Sequence, residues 1–244
     1  MLDGLDEAAL ARLLRVPRVV LLDVVSSTMD DAHQRAADGA AAGTCIVAEA
    51  QSAGRGRGGH AWLSERGAGL WCTFIERPDA PAGLDVLSLR IGLAAAPVLE
   101  TFAGAPVQLK WPNDLYVGGA KLAGILVEAR WRQGIVEWVA IGIGVNLRPP
   151  TGLAAAGCLQ AGTRRSDVLR ALLPPLRRAA SARGPLSGAE RAEYASRDLS
   201  VGRRCLEPAP GIVRGLTDDG SLVIATSAGD SHYRGGSLIL AEES

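Results

Sequence analysis

The chain has 244 residues, 48% of them hydrophobic but only 4% aromatic, so it can bury a large core built mainly from Leu, Val, Ile and Ala. Soluble domains mostly run to about 100–200 residues, which predicts one large domain with one small one. Lys plus Arg and Asp plus Glu both number 26, so the bulk basic surplus of a protein that lives on nucleic acid is missing, although a local basic patch is left open.

Asp6 to Leu14 reads as a short helix with Leu10, Leu13 and Leu14 on one face, ended by Pro17. Arg18–Val25, rich in Val and Leu, reads as a buried strand. Ser27-Thr-Met-Asp30 fits a capping box opening a helix that runs to about Ala37 and is closed by Gly39. Thr44–Glu49 is a second strand, and Gln51–Gly59, with four glycines and two arginines, is too Gly-rich for a regular element. Leu70–Glu76 resumes as a strand. Leu84–Phe102 has helical periodicity, which Pro97 is expected to kink or interrupt. Val107–Trp111 is a strand ending at Pro112. Lys121–Trp131 and Ile135–Asn146 read as a hairpin of long strands around Gln133-Gly134. Asp167–Arg178 and Ala189–Ser196 are predicted helices, the first weakened by Pro174 and Pro175. Beyond Arg197, short apolar runs alternate with turn signals at Asp218-Asp-Gly220, Ala228-Gly-Asp230 and Gly235-Gly236, which suggests a small antiparallel barrel of SH3-like size. The expected fold class is α+β: a central mixed or antiparallel sheet with flanking helices over 1–196, then a small SH3-like β-barrel over 197–244.

Cys45, Cys72, Cys158 and Cys205 are scattered without a C-x-x-C pair, so neither a zinc site nor a disulfide framework is expected. The acidic amino terminus lacks the order of a secretory signal. No apolar stretch approaches the ~20 residues of a membrane helix. The expectation is a reduced, soluble, cytoplasmic protein with no membrane contact.

Three segments carry chemistry-bearing residues. In Gln51-Ser-Ala-Gly-Arg-Gly-Arg-Gly-Gly-His-Ala-Trp62 the glycines allow close backbone approach and Arg55 and Arg57 offer planar forks for carboxylate or phosphate. A solvated loop and an RNA-contacting Arg-Gly segment are the competing readings. In Lys110-Trp-Pro-Asn-Asp114, followed by Lys121-Leu-Ala-Gly124, Asn113 and Asp114 would project from a strand end. Asp114 could hold Mg²⁺, Lys121 could reach the same point, and Gly124 could leave room for a ligand. A plain Asn-Asp turn and a solvated lysine would look the same. In Gly142-Ile-Gly-Val-Asn146 the strand glycines suggest a flat base stacked there, or equally a β-bulge. Together the segments supply what acyl-adenylate formation needs: fixed cations around a carboxylate and an α-phosphate, with no catalytic base, because the acid is already ionised.

These stretches, in this order, resemble the signature of biotin–protein ligases of the kind without a DNA-binding domain: Gly54-Arg-Gly-Arg57 with Trp62, Lys110-Trp-Pro-Asn-Asp114 and Lys121-Leu-Ala-Gly124. The resemblance covers nearly the whole chain and implies a class II synthetase-like ligase core. It implies ATP and Mg²⁺ with biotin as substrate, no prosthetic group, and a biotin carboxyl carrier protein whose lysine accepts biotin from biotinyl-5′-AMP. Ser27, Thr28, Gln51, Gly54, Arg55, Gly56, Arg57, Lys121 and Gly124 would then bind biotin, with Lys121 and Arg55 catalytic. Arg57, Trp62, Lys110, Asn113 and Asn146 would serve the nucleotide, Asn146 near adenine, and Asp114 the metal. Met29 stands where that family often has Asn or Gln, and a thioether replaces an amide poorly. Fewer than twenty residues precede the first strand, so no DNA-binding domain and no repressor function are expected. The state is expected to be monomer or homodimer. The alternatives are a lipoate or octanoate ligase of the same superfamily and a nucleic-acid-binding module built on the Arg-Gly loop. Elsewhere, Asp30 and Asp31 would complement a helix dipole and His33 would sit at the surface. Trp71, Trp131 and Trp138 would pack in the core, and Trp111 in core or site.

Overall fold

The computed structural model describes residues 1–152 and 156–241. Helix α1 spans Glu7–Leu14, capped by Asp6, whose carboxylate accepts from the Ala9 N–H at 2.7 Å. It ends at Arg15, in the left-handed region at φ 56°, before Pro17 is reached. Leu10 and Leu14 are buried while Leu13 is 39% exposed, so the apolar face is narrower than its sequence suggested.

A seven-stranded mixed sheet forms the centre, in the order β1 (Val19–Val25), β2 (Cys45–Gln51), β3 (Gly69–Glu76), β7 (Ile135–Asn146), β6 (Ala120–Arg132), β5 (Asp114–Val117), β4 (Val107–Lys110). Strands β1 and β2 run parallel, joined by helix α2 (Thr28–Ala37), and the other pairings are antiparallel. Period-two alternation sends Val19, Val47, Phe74, Ile125 and Ile143 into the core under helices α3 (Leu87–Ala103) and α4 (Arg165–Ala180). Val20, Ile46, Ile75 and Ala140 go to the opposite face, against Met29, Ala32 and Ala36 of α2.

Several expectations change here. Ser27 does cap α2, but through the Met29 N–H at 3.2 Å; the reciprocal capping box does not form, because Asp30 is drawn to Arg55 at 2.8 Å. Helix α3 runs on through Pro97. The lost backbone bond costs about 3 kcal/mol, and burial of Leu87, Ile91 and Leu99, each worth about 2 kcal/mol, offsets it. Helix α4 likewise continues through Pro174 and Pro175, burying Leu169, Leu172, Leu173 and Leu176. Strand β5 was not anticipated: Asp114 opens a strand paired to both β4 and β6, and Gly118 and Gly119, both at positive φ, turn it into β6. Trp131 is 46% exposed, against the core position expected for it, whereas Trp71 and Trp138 are buried.

Helix α5 (Gly188–Arg197) has a true capping box at Ser187 and Glu190. It leads to an antiparallel sheet ordered β11 (Gly229–Tyr233), β10 (Leu222–Thr226), β9 (Gly211–Leu216), β8 (Arg204–Glu207), β12 (Ile239–Leu240). Strands β11 and β12 stay as edges, so pairing among the described residues does not close a barrel; residues 242–244 lie outside them. Hydrogen bonds from the Leu199 N–H to the Leu109 carbonyl and from Trp111 Nε1 to the Gly220 carbonyl tie this sheet to the end of β4. Among the described residues, no helix is long and apolar enough to cross a membrane.

Candidate active site

The α2 face of the sheet carries a cleft of about 510 Å³. Its floor needs small residues. On β6 and β7, Gly124 and Gly144 lie under the indole of Trp62, and Gly142 faces the methyl end of Met29. The glycine loop closes one side as a self-bonded hairpin, with the Gly56 N–H donating to the His60 carbonyl at 2.7 Å and the Trp62 N–H to the Gly54 carbonyl at 2.8 Å.

One end of the cleft is polar and buried. Gln51 Oε1 accepts from the Thr28 N–H at 2.8 Å and the Thr28 hydroxyl at 3.1 Å, and Gln51 Nε2 donates to Ser64 Oγ at 2.7 Å. The Thr28 and Thr73 hydroxyls share a hydrogen bond at 2.9 Å. Side chains of α2, β2 and β3 thus meet at Thr28, Gln51 and Thr73, and Ser27, the α2 cap, lines the same cleft. Met29 and Leu126 supply an apolar wall beside them.

The other end is cationic. Lys121 Nζ lies 2.8 Å from Asp114 Oδ2 and 5.1 Å from the Trp62 ring centroid. Asp114 Oδ1 is buried with no hydrogen-bond partner. Lys110, 5.6 Å from the Tyr116 ring, has its pKa lowered, chiefly by burial and further by Lys121 and Arg203, while Asp114 opposes the shift. Burial, helped by the Asp114 charge, pushes the Tyr116 phenol up to about 12. Arg57 stacks 6.0 Å above Trp111 and donates to the Gly236 carbonyl at 2.8 Å, so the carboxy-terminal sheet also walls the cleft. Arg55 is ion-paired with Glu128 and Asp30 at 2.9 and 2.8 Å.

Ser27, Thr28, Gln51, Arg55, Gly56, Arg57, Trp62, Lys110, Asn113, Asp114, Lys121 and Gly124 all line this cleft. Gly54 and Asn146 do not. A side chain at Gly54 would run into the Trp62 carbonyl, so that glycine closes the hairpin. The Asn146 amide donates to the Lys121 and Gly157 carbonyls, both at 3.2 Å, and the Asn113 amide donates to the Ile125 carbonyl at 2.7 Å. Both carboxamides therefore brace β6. Thr73 and the Gly236–Leu238 turn were missing from the sequence reading; β3 alternation carried a weak signal for the first and nothing local signalled the second. Among the described residues, no group of three or more His, Cys, Asp and Glu side chains could hold a metal. Burial pushes the Cys72 thiol well above its ordinary value, which argues against a thiolate nucleophile in the cleft.

Residues 21–146 match the model of the Biotin/lipoate A/B protein ligase family. The chain belongs to that family. Within it, the chain is 41% identical over 130 residues to the bifunctional ligase/repressor BirA of Bacillus spizizenii; the match covers 53% of this chain and 40% of that protein, so the chain spans about two-fifths of the relative's length. It is 33% identical to the biotin–[acetyl-CoA-carboxylase] ligase of Mycobacterium tuberculosis, over 86% of this chain and 87% of that protein. In structure it is similar to the biotin protein ligase of Aquifex aeolicus in complex with biotin and ATP, with TM-score 0.73 and 26% identity, covering 92% of this chain and 99% of that one.

Proposed function

We propose that this family member activates biotin with ATP to biotinyl-5′-AMP and transfers it to a lysine of a biotin carboxyl carrier protein in the cytoplasm. The observation that carries the reading is one cleft holding a hydrogen-bonding end at Thr28, Thr73 and Gln51 and a cationic end at Lys121, Lys110 and Arg57. The first end suits a polar ring head, the second a carboxylate meeting a phosphate. In the first step a biotin carboxylate oxygen attacks the α-phosphorus, the bond to the bridging oxygen breaks, and pyrophosphate leaves. Lys121 balances the charge that grows on the phosphoryl oxygens, and Arg57 closes over it. In the second step the acceptor amine attacks the acyl carbon, AMP leaves, and the amine's proton passes to solvent. Ser27, Thr28, Gln51, Gly56 and Gly124 shape the biotin site, and Trp62, Lys110 and Asn113 border the nucleotide.

Mg²⁺ would arrive with the triphosphate and neutralise its charge, with Asp114 as a single protein carboxylate; the unpartnered Oδ1 suits that use. The division into a class II synthetase-like core over 1–196 and an SH3-like unit over 197–244 belongs to the same proposal. Both loop guanidinium groups have partners within the chain, which disfavours the loop as a nucleic-acid reader. Met29 on the cleft wall favours one second reading, a lipoate or octanoate ligase. Pyrophosphate release should require biotin, and a carrier domain should then be labelled on one lysine. Release that follows lipoate or octanoate and ignores biotin would select the second reading, and release with none of the acids would refute both.

A further inference from the structure

The loop's guanidinium groups face different electrostatic surroundings. Arg57 donates to a neutral carbonyl and stacks on Trp111. Arg55 donates from Nη1 and Nη2 to the two oxygens of Glu128 at 2.9 and 3.0 Å, and Nη2 is also 2.8 Å from Asp30 Oδ1. One positive charge against two carboxylates leaves an excess of negative charge around Arg55, which repels an incoming anion rather than attracting it.

Glu128 is itself braced from the core. Trp138 Nε1 donates to His33 Nδ1 at 2.9 Å, and an indole N–H can only donate, so His33 carries its proton on Nε2. That N–H donates to Glu128 Oε2 at 2.9 Å. Trp138 is buried against α2. A chain of contacts thus runs from the core through His33 and Glu128 to Arg55, which sits at the base of the hairpin closed by the Gly56 and Trp62 amides.

We propose that Arg55 is a positioning residue: clamped by Glu128 and Asp30, it pins the base of the glycine loop so that Arg57 and Trp62 stay over the cleft, and it does not itself contact acid or phosphate. The proposal rests on the ligase reading only for what the cleft binds.

Its test is therefore first made without ligand, by amide hydrogen exchange at Gly56 and Trp62 in Arg55→Ala, Glu128→Ala and the double variant, with Glu128→Gln as a milder substitution should Glu128→Ala fold poorly. Arg55→Ala should speed exchange about tenfold and Glu128→Ala about threefold, since Asp30 still holds the guanidinium, and the double change should add little to Arg55→Ala because both act on one clamp. Wild-type exchange in the Glu128 variants, or effects that multiply in the double, would overturn the proposal. The second arm is biotin binding measured by calorimetry with and without ATP. A guanidinium that bound the anion would be freed by the Glu128 change, leaving affinity equal or tighter while Arg55→Ala weakened it; a pin predicts a loss in both, the smaller one in Glu128→Ala, where Asp30 remains. Should wild-type protein bind no biotin, the ligase reading fails, and the exchange result still decides the clamp alone.

Discussion

A Cβ built on Gly144 would lie 2.5 Å from Trp62 Nε1, and one on Gly124 would lie 2.8 Å from the same ring. Gly144→Ala therefore has to displace the indole, which also supports Lys121 at 5.1 Å. We expect a loss of about 1–3 kcal/mol in chemical denaturation, as for other overpacked cores, together with a change in Trp62 fluorescence assigned by comparison with Trp62→Phe. Lys121→Ala should lower the adenylation rate by about 10²–10³-fold, the scale of a lost transition-state donor, while biotin affinity measured by calorimetry falls far less. Equal losses in rate and affinity would contradict its assigned part. At this scale the sequence was legible for residue type more than for contact. Strand glycines announced a close approach, but the approaching group is an indole of the same chain, and three-dimensional pairing alone reveals that. Asn113 and Asn146 looked like free amides, yet both are spent on backbone carbonyls of β6 because the buried strand leaves those acceptors to be satisfied.

Helix α5 is anchored by an ion pair between the buried Arg90 and the half-buried Glu190. Arg90 Nε donates to Glu190 Oε1 at 2.7 Å, and the same guanidinium donates to the Gly184 and Pro185 carbonyls at 2.9 and 2.6 Å. Arg90 holds the Glu190 carboxyl down to about 2, against burial, with the Ser187 cap assisting. A carboxyl depressed in the folded state stabilises it fully above its unfolded value of 4.5, and that contribution fades below 4.5 and is gone once pH has fallen through about 2. Acid melting curves of wild type and Glu190→Gln should therefore converge across that window. At neutral pH Glu190→Ala should cost about 1–3 kcal/mol, since it leaves the buried Arg90 charge with only the Gly184 and Pro185 carbonyls as partners. Most elements were readable from periodicity, and the reason is that their apolar faces match their burial. The exceptions are physical. Burial carried α3 and α4 through prolines that local rules forbid, and β5 is too short for a pattern and owes its existence to its two neighbours.

Across the whole molecule, the cleft draws on α2, both long hairpin strands, the glycine loop and the carboxy-terminal sheet, whose Gly236 carbonyl holds Arg57. Segments far apart in the chain could be suspected of convergence from their chemistry, and the family signature sharpened that suspicion. The part taken by the carboxy-terminal sheet could not be read, because a backbone carbonyl has no sequence signal. Replacing Arg57 with Ala should remove that tether and let the loop tip open, seen as faster proteolytic cleavage between residues 55 and 61 with the core intact. The central claim is that one cleft joins an acid to a nucleotide. Its most direct measurement is mass spectrometry of the protein after incubation with ATP, Mg²⁺ and an equimolar mixture of biotin, lipoate and octanoate. Protein-bound biotinyl-5′-AMP as the dominant adenylate is the predicted result; no acyl-adenylate at all would contradict the account.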